Sequence, residues 1–157
     1  MQSDLPETLL HALLLVVALP ALRGGPVPTI VIVIPAHDEA VAIAATVASA
    51  HATMPDGARL LVVADNCSDA TARLARNAGA EVLERNDALR RGKGYALRHA
   101  FEASRQSGRA DAVVVIDADA EVSANLLEAC ASRIEAGASA VQVHYGVLNA
   151  LSSWRSR

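Results

Sequence analysis

The sequence is poor in aromatic residues, which make up 3% of the 157 residues, whereas hydrophobic residues as a whole make up 52%. A core must therefore be built from alanine, valine, leucine and isoleucine. Basic charge is not in excess either, because 14 lysine and arginine residues stand against 17 aspartate and glutamate residues. With a net charge of -3 and no basic stripe, the chain does not suit nucleic acid as a partner. Its length favours one domain over two.

Cysteine is scarce as well. Cys67 and Cys130 lie far apart without a Cys-x-x-Cys or Cys/His spacing, so the sequence predicts neither a disulfide framework nor a zinc site. We expect two free thiols in a reducing compartment.

Histidines without the mutual spacing of metal ligands are His11, His51, His99 and His144. The fifth, His37, is expected to be a solvent-facing loop residue.

The apolar run LLHALLLVVALPAL, residues 9–22, is shorter than the roughly 20 residues that a bilayer-spanning helix needs. Asp4 and Glu7 precede it, and such an acidic flank is not typical of a secretory signal peptide. A short or truncated membrane helix, an interfacial anchor and a helix packed on the domain all stay open. We favour membrane association, with Arg23 placing the following domain in the cytoplasm; a cytoplasmic protein is the alternative. Residues 1–27 are assigned to this apolar segment and a linker.

Beyond this segment, short apolar runs alternate with helical patterns. Runs typical of strands occupy residues 29–34, 59–64, 80–84 and 112–117, and the alternating run SAVQVHY occupies residues 139–145. Helices are expected after Glu39, Ser68, Gly94 and Ser123, with the two serines as N-caps. Gly79 is expected to end the second helix.

This order of elements predicts an α/β domain over residues 28–146. Its fold would be a Rossmann-like, mostly parallel sheet with helices on both faces. Ligands of such sheets bind beyond the carboxyl ends of the strands, so the loops at that edge are the place to look for a site. Residues 147–157 are expected to begin a truncated C-terminal part.

Polar loops follow the first two strands. In PAHDEA, residues 35–40, we interpret Pro35 as the end of the strand. The acids Asp38 and Glu39 are explained either by the helix dipole, which favours acids at an N-terminus, or by a function. In DNCSDAT, residues 65–71, helix capping explains the serine and the second aspartate. It does not explain Asp65, which falls at the strand end.

Charged loops follow the next two strands. In RNDALRRGKGYA, residues 85–96, Lys93 lies between two glycines and suits a phosphate; an exposed cationic loop is the alternative, and the Walker spacing is absent. In VVVIDADAEV, residues 113–122, Asp117 and Asp119 are two apart and can share one target. Their oxygens suit Mg²⁺ or Mn²⁺, whereas the alternative is a solvated acidic turn. One site for a metal and a nucleotide diphosphate would explain all four loops.

Four segments, VIVIPAHDEA, VVADNCSDAT, RRGKGYAL and VVVIDADAEV, resemble in order and spacing the N-terminal half of family 2 glycosyltransferases. These are inverting enzymes of the GT-A fold, and the resemblance spans roughly residues 28–145. It implies metal-dependent transfer of a sugar, with inversion, from a nucleotide-sugar to an acceptor hydroxyl on a glycan, a lipid or another molecule.

The resemblance also implies roles for individual residues. Glu39 would lie near the ribose, Asp65 would accept a hydrogen bond from the uracil ring nitrogen, and a UDP-sugar is therefore the expected donor. Asp38 stands where the family usually has asparagine. Asp117 and Asp119 look like the family's Asp-x-Asp pair, with Asp119 the direct metal ligand. The residues implied to bind the nucleotide-sugar are Pro35, Ala36, Asp38, Glu39, Asp65, Asn66, Lys93, Asp117 and Ala118.

The resemblance leaves the general base unassigned. In the family it is an acidic residue well beyond the Asp-x-Asp pair, but no Asp or Glu follows Glu135 here, and Trp154 is not part of a Gln-x-x-Arg-Trp motif. The base is therefore expected beyond the end of the chain. A truncated or non-catalytic nucleotide-sugar-binding module stays open as an alternative. A phosphate-receiver domain fits less well, because its third strand should end in a phosphorylatable aspartate rather than Glu84.

Overall fold

The computed structural model describes residues 15–18, 30–106 and 111–143. The strands are β1 (Leu15–Ala18), β2 (Ile30–Ala36), β3 (Arg59–Asp65), β4 (Glu81–Arg85), β5 (Ala112–Val115) and β6 (Ala140–Gln142). The helices are α1 (Ile43–His51), α2 (Thr71–Asn77), α3 (Lys93–Gln106) and α4 (Leu126–Glu135).

The strands form one mixed sheet in the order β4-β3-β2-β5-β1-β6. Strands β2 to β5 are parallel to their neighbours, whereas β1 is antiparallel to both β5 and β6. Alternate residues of β2 enter different cores: Ile32 packs with α1, α2 and α4, and Val33 packs with α3. Burial on both faces explains why these strands are almost continuously apolar. The predicted α/β fold, with helices on both faces of a mostly parallel sheet, is confirmed.

The apolar N-terminal run contributes a strand. Leu15–Ala18 pairs with β5 and β6, so the prediction of a helix is wrong at these four residues. Two adjacent valines, Val16 and Val17, favour a strand because their β-branched side chains restrict χ1. The other residues of the run lie outside the described part of the chain. In the described part, no helix is long and apolar enough to cross a membrane.

Strand β2 continues through Pro35 to Ala36, so the prediction that Pro35 ends the strand is wrong. The carbonyl of Val33 accepts a hydrogen bond from the amide of Ile116, on the β5 side of the strand. Because backbone groups alternate sides along a strand, Pro35 also faces that side, where the pairing with β5 has already ended at Val33. The amide hydrogen that proline lacks is therefore not needed there.

The serines predicted as N-caps do not act as caps. The N-cap residues of α2 and α4 are Ala70 and Asn125, and neither makes a side-chain cap hydrogen bond. At α2 the Oδ1 atom of Asp69 accepts instead from the amide of Thr71, at 2.9 Å. The predicted C-terminal glycine is confirmed, since Gly79 follows α2 with a φ of 98°. That left-handed conformation is strained for other residues.

The last predicted strand is shorter than expected, because β6 covers Ala140–Gln142 within the predicted span 139–145. Val141 and Val143 pack against the larger core, as the alternating pattern predicted. His144 and Tyr145 lie outside the described residues.

Candidate functional site

A pocket of about 340 Å³ lies where β2 and β3 end and α3 begins. It is near the point where the strand order reverses, because the chain proceeds from β2 outward to β3 and β4 and then returns to β5 on the other side. Predicted residues that line it are Pro35, Ala36, Glu39, Asp65, Asn66 and Lys93. Lining residues that the sequence reasoning did not assign to the site are His37, Arg91, Gly92 and Ala96.

Asp38 does not line this pocket but joins two loops beside it. Its Oδ1 atom accepts hydrogen bonds from the amides of Ser68, at 2.6 Å, and Asp69, at 3.2 Å. The backbone hydrogen bond from Ser68 is the main cause that lowers the pKa of Asp38. The helix-dipole interpretation does not hold, because α1 begins only at Ile43 and has no acid in its first turn. A φ of 54° at Asp38 suits aspartate or asparagine.

A second set of contacts fixes the backbone at Glu39. Its amide donates to the Oγ1 atom of Thr71, which is fully buried, over 2.8 Å. The next amide, of Ala40, donates to the Oδ2 atom of Asp69 over 3.0 Å. The loop after β2 is therefore held against the start of α2, which sets where the Glu39 side chain meets the pocket.

Asp65 is buried at the end of β3, with 4% of its surface exposed. Its Oδ1 atom accepts from the Nη1 atom of Arg85, at 2.6 Å, and from the Nδ2 atom of Asn66, at 3.0 Å. The sequence reasoning missed Arg85 as a partner. A signal was available, because Arg85 ends the strand that neighbours β3, and adjacent parallel strands bring their ends together.

Lys93 is the first residue of α3, and its ammonium group contacts the Oδ1 atom of Asp117. The preceding residue, Gly92, has a φ of 108°, which a glycine adopts without strain. The Lys93 cation thus lies beside the first carboxylate of the turn Asp117-Ala118-Asp119, called the DAD turn below. The sequence predicted a phosphate partner for Lys93 but not this ion pair.

A side chain of α1 holds the DAD turn by a hydrogen bond. The carbonyl of Ala118, a residue 5% exposed, accepts a hydrogen bond from the Oγ1 atom of Thr46 at 2.8 Å. Ala120 closes the turn through its amide, which donates to the carbonyl of Asp117 at 3.1 Å. Within this turn Asp117 is half-buried and Asp119 is exposed to solvent.

The carboxylates of Glu39, Asp117 and Asp119 lie at the same edge of the sheet, where the charges of the two aspartates act on Glu39. The pKa of Glu39 is raised above its ordinary 4.5, first by burial and then by the charges of Asp119, Asp69 and Asp117, with a partial offset from His37. Glu39 thus lies within the electrostatic reach of Asp117 and Asp119, and all three offer hard oxygen donors, although their ligand atoms are not among those of the described residues that lie within 4.8 Å of one another. This chemistry fits Mg²⁺ or Mn²⁺.

Another group, formed by Asp38, Cys67 and Asp69, has ligand atoms within 4.8 Å of one another. We do not assign it to a metal, because both carboxylates already accept backbone hydrogen bonds. Burial also raises the pKa of the Cys67 thiol, which disfavours the thiolate form that ligates metals. Cys67 and Cys130 are both free, as predicted.

His37 lies at the mouth of the pocket. Its side chain is 61% exposed, as expected for a solvent-facing loop residue. Its Nδ1 atom is 2.8 Å from the carbonyl oxygen of Asp65, a contact that links the loops after β2 and β3.

The motifs and the fold agree with a comparison against families of known proteins. The model of a family described as Glycosyl transferase family 2 matches residues 31–156. The chain belongs to this family. The family resemblance carried by the four motifs is confirmed, as is the GT-A type of fold. No curated protein matches the chain.

Solved structures of mycobacterial proteins are similar to this family member. One, described only as a mycobacterial protein, has 29% identity and a TM-score of 0.61, covering 71% of this chain and 38% of that one. Glucosyl-3-phosphoglycerate synthase from Mycobacterium tuberculosis in complex with UDP has 32% identity and a TM-score of 0.51, covering 59% and 34%.

The same synthase in complex with Mn²⁺, UDP-glucose and phosphoglyceric acid has 30% identity and a TM-score of 0.51, covering 60% of this chain and 35% of that one. The alignments thus include little more than a third of the length of these mycobacterial proteins.

Proposed function

We propose that this domain binds a UDP-sugar together with Mg²⁺ or Mn²⁺ and supplies the donor site of an inverting glycosyltransferase. The observation that carries the proposal is the convergence of Asp65, Lys93 and the carboxylates of Glu39, Asp117 and Asp119 at one end of the sheet. Membership of glycosyl transferase family 2 supports it, as do similar structures that contain UDP, UDP-glucose and Mn²⁺.

In this proposal each end of the pocket takes one part of the donor. Asp65 and Asn66 contact the base. Lys93 contacts the diphosphate. The residues that contact the nucleoside between them are Pro35, Ala36 and Glu39. A carboxylate suits the ring N–H of uracil as a hydrogen-bond acceptor, and an ammonium group suits phosphate oxygens. The nucleotide would therefore span the pocket from the β3 end to the start of α3.

The residues that would hold the cation are Asp119, which is exposed, and Asp117. When bound, a divalent cation supplies positive charge that stabilises the departing diphosphate. The protein's own contribution is to hold the turn rigid through Ala118 and to place Lys93 beside it, so that two sources of positive charge meet the leaving group. The acceptor is a hydroxyl compound, and its general base has no assigned residue in the part of the chain that the structure describes.

The test is a calorimetric titration of UDP into the protein, with and without Mn²⁺. We expect binding to depend on Mn²⁺ and to weaken at least about tenfold, or about 1.4 kcal/mol, in Asp119→Ala. Asp56→Ala is the matched control, because Asp56 is an exposed aspartate on the loop that leads into the opposite end of β3. Unchanged affinity in Asp119→Ala would count strongly against the proposal.

A second measurement distinguishes an enzyme from a non-catalytic nucleotide-sugar-binding module. Incubation with a UDP-sugar and Mn²⁺ should release UDP, if only by slow hydrolysis. If the protein binds UDP but releases none from any of the UDP-sugars used to make common glycans, the non-catalytic module is favoured.

A further inference from the structure

Asp65 and Arg85 lie side by side at the ends of two neighbouring strands. Their Cα atoms are register partners in the β3–β4 pair, and the Nη1 and Oδ1 atoms are 2.6 Å apart. The side chains are 5% and 12% exposed, so solvent screens this ion pair little. It is the most buried of the ion pairs between described residues.

Arg85 is held in place by further contacts. Its Nη2 atom donates to Asp87 at 3.1 Å, and its guanidinium lies 5.6 Å from the centre of the Tyr95 ring. Asp65 lines the pocket whereas Arg85 does not, so Arg85 reaches a ligand through Asp65. The guanidinium is thus a rigid support behind the carboxylate.

Asn66 completes the support from the other side. Its Nδ2 atom donates to the same Oδ1 atom of Asp65, at 3.0 Å, so this oxygen accepts two hydrogen bonds. Asn66 is itself fixed, because its amide donates to the carbonyl of Arg85 and its Oδ1 atom accepts from the amide of Asp87. With Oδ1 engaged by protein donors, Oδ2 is the oxygen that a base in the pocket can use.

A single, fixed acceptor distinguishes the two common pyrimidines. Uracil presents a ring N–H at N3, which can donate to this oxygen, whereas the N3 atom of cytosine is an acceptor and would face it lone pair to lone pair. The two bases are nearly equal in size, so shape alone separates them poorly. Sites that rely on such a hydrogen bond reject the mismatched analogue far better than sites that rely on volume.

We propose that Arg85 is a positioning residue that determines base specificity by holding Asp65 with one carboxylate oxygen toward the pocket, which selects uracil over cytosine. The inference rests on the proposed function, because it assumes that a nucleotide base occupies the Asp65 end of the pocket. It adds a residue outside the pocket that sets the selectivity.

The experiment compares UDP and CDP, both with Mn²⁺, by calorimetry on the full chain. The wild type should prefer UDP by at least about tenfold, and Arg85→Gln should lose most of that preference because UDP affinity falls while CDP affinity changes little. Arg85→Lys should retain an intermediate ratio, since lysine keeps the charge but cannot donate to both Asp65 and Asp87 in a fork.

Asp65→Asn gives a second, opposite readout. Because Arg85 and Asn66 both donate to Oδ1, the new amide should turn its oxygen toward them and its N–H₂ group toward the pocket. The variant should therefore prefer CDP over UDP. This inversion needs an oriented side chain, so a variant that still prefers UDP would overturn the proposal even if Arg85→Gln does not fold.

Arg76→Gln is the matched control. Arg76 forms an exposed ion pair with Glu84, the residue before Arg85 on β4, and Arg76 does not line the pocket. If Arg85 only stabilises the fold, UDP and CDP affinities will fall together in Arg85→Gln and their ratio will equal that of the wild type, which would overturn the inference alone. A wild type that binds neither nucleotide would instead overturn the proposed function.

Discussion

The Lys93 ammonium group lies against the Oδ1 atom of Asp117, so a cation of the protein already occupies one side of the DAD turn. Lys93 begins α3 and Asp117 follows β5, and the two meet because α3 starts and β5 ends at the same edge of the sheet. A diphosphate and a divalent cation would each compete for one member of this pair. If the proposed function holds, nucleotide binding should therefore draw Lys93 away from Asp117 and toward phosphate.

Replacement of Lys93 by methionine should affect the two ligands in opposite directions. UDP affinity should fall at least about tenfold, because the phosphate contact proposed for Lys93 would be lost. The affinity for Mn²⁺ without nucleotide should rise about threefold or more, because the competing cation beside Asp117 is gone. Calorimetry with each ligand alone measures both effects.

Arg98→Met is the control for this variant, since Arg98 is an exposed cation on the same helix and pairs with Glu102. It should leave both affinities unchanged. Equal Mn²⁺ affinity in the wild type and Lys93→Met would show that the ion pair does not compete with the metal.

Glu39→Gln should stabilise the ligand-free protein at neutral pH. The pKa of Glu39 is raised in the fold, so the folded state favours its protonated form. The stabilisation from protonation is complete below its ordinary value of 4.5 and is lost as the pH rises through the raised folded value. The melting temperature of the variant should exceed that of the wild type by about 1–3 °C at pH 7.

The same variant should lose this advantage as the pH falls below 4.5, because protonation of Glu39 then approaches completion in both states. Melting curves between pH 4 and pH 8 test this, with Asp56→Asn as a control at an exposed acid. A difference that stays constant across this pH range would mean that ionisation of the buried Glu39 carboxyl group is not its cause.

Thr46→Val should loosen the DAD turn. The substitution keeps the shape but removes the hydroxyl that donates to the carbonyl of Ala118, and both residues are buried. Loss of a buried partner costs about 1–3 kcal/mol, which urea denaturation would measure. Mn²⁺-dependent UDP affinity should fall as well. Thr46→Ser keeps the hydroxyl and should retain most of both properties; equal losses in the two variants would point to packing instead.

The two glycines that flank Lys93 should differ in their response to alanine. Gly92→Ala should destabilise the protein by about 1 kcal/mol or more, because its φ of 108° strains any other residue. Gly94 is helical and a Cβ there meets no atom within 4 Å, so Gly94→Ala should be neutral in stability or slightly favourable. If phosphate approaches the backbone here, UDP affinity should still fall in Gly94→Ala. Unchanged UDP affinity in Gly94→Ala would show that phosphate does not lie close to the backbone at Gly94.

The positions of the strands could be predicted because burial on both faces demands apolar residues. Strands β2, β3 and β5 follow this rule. The helices between them show apolar residues at the 3.6-residue spacing of a helix. Helix starts were harder, since Asp69 rather than Ser68 accepts a hydrogen bond from the first amide of α2, and a serine followed by an aspartate allows either. The strand β1 was missed because an apolar run of this length suits a helix as well as a strand, and its partners β5 and β6 lie about 100 and about 125 residues further along the chain.

The sequence by itself determined which chemical groups stand at the carboxyl ends of the strands, because polar residues that end apolar runs must emerge at that edge. Only the tertiary structure decided how those groups pair. Lys93 contacts Asp117, Arg85 holds Asp65, and Asp38 binds the loop at Ser68 rather than lining the pocket. These contacts join residues 20 to 30 positions apart, and their geometry depends on strand order and register, which local residue patterns do not encode.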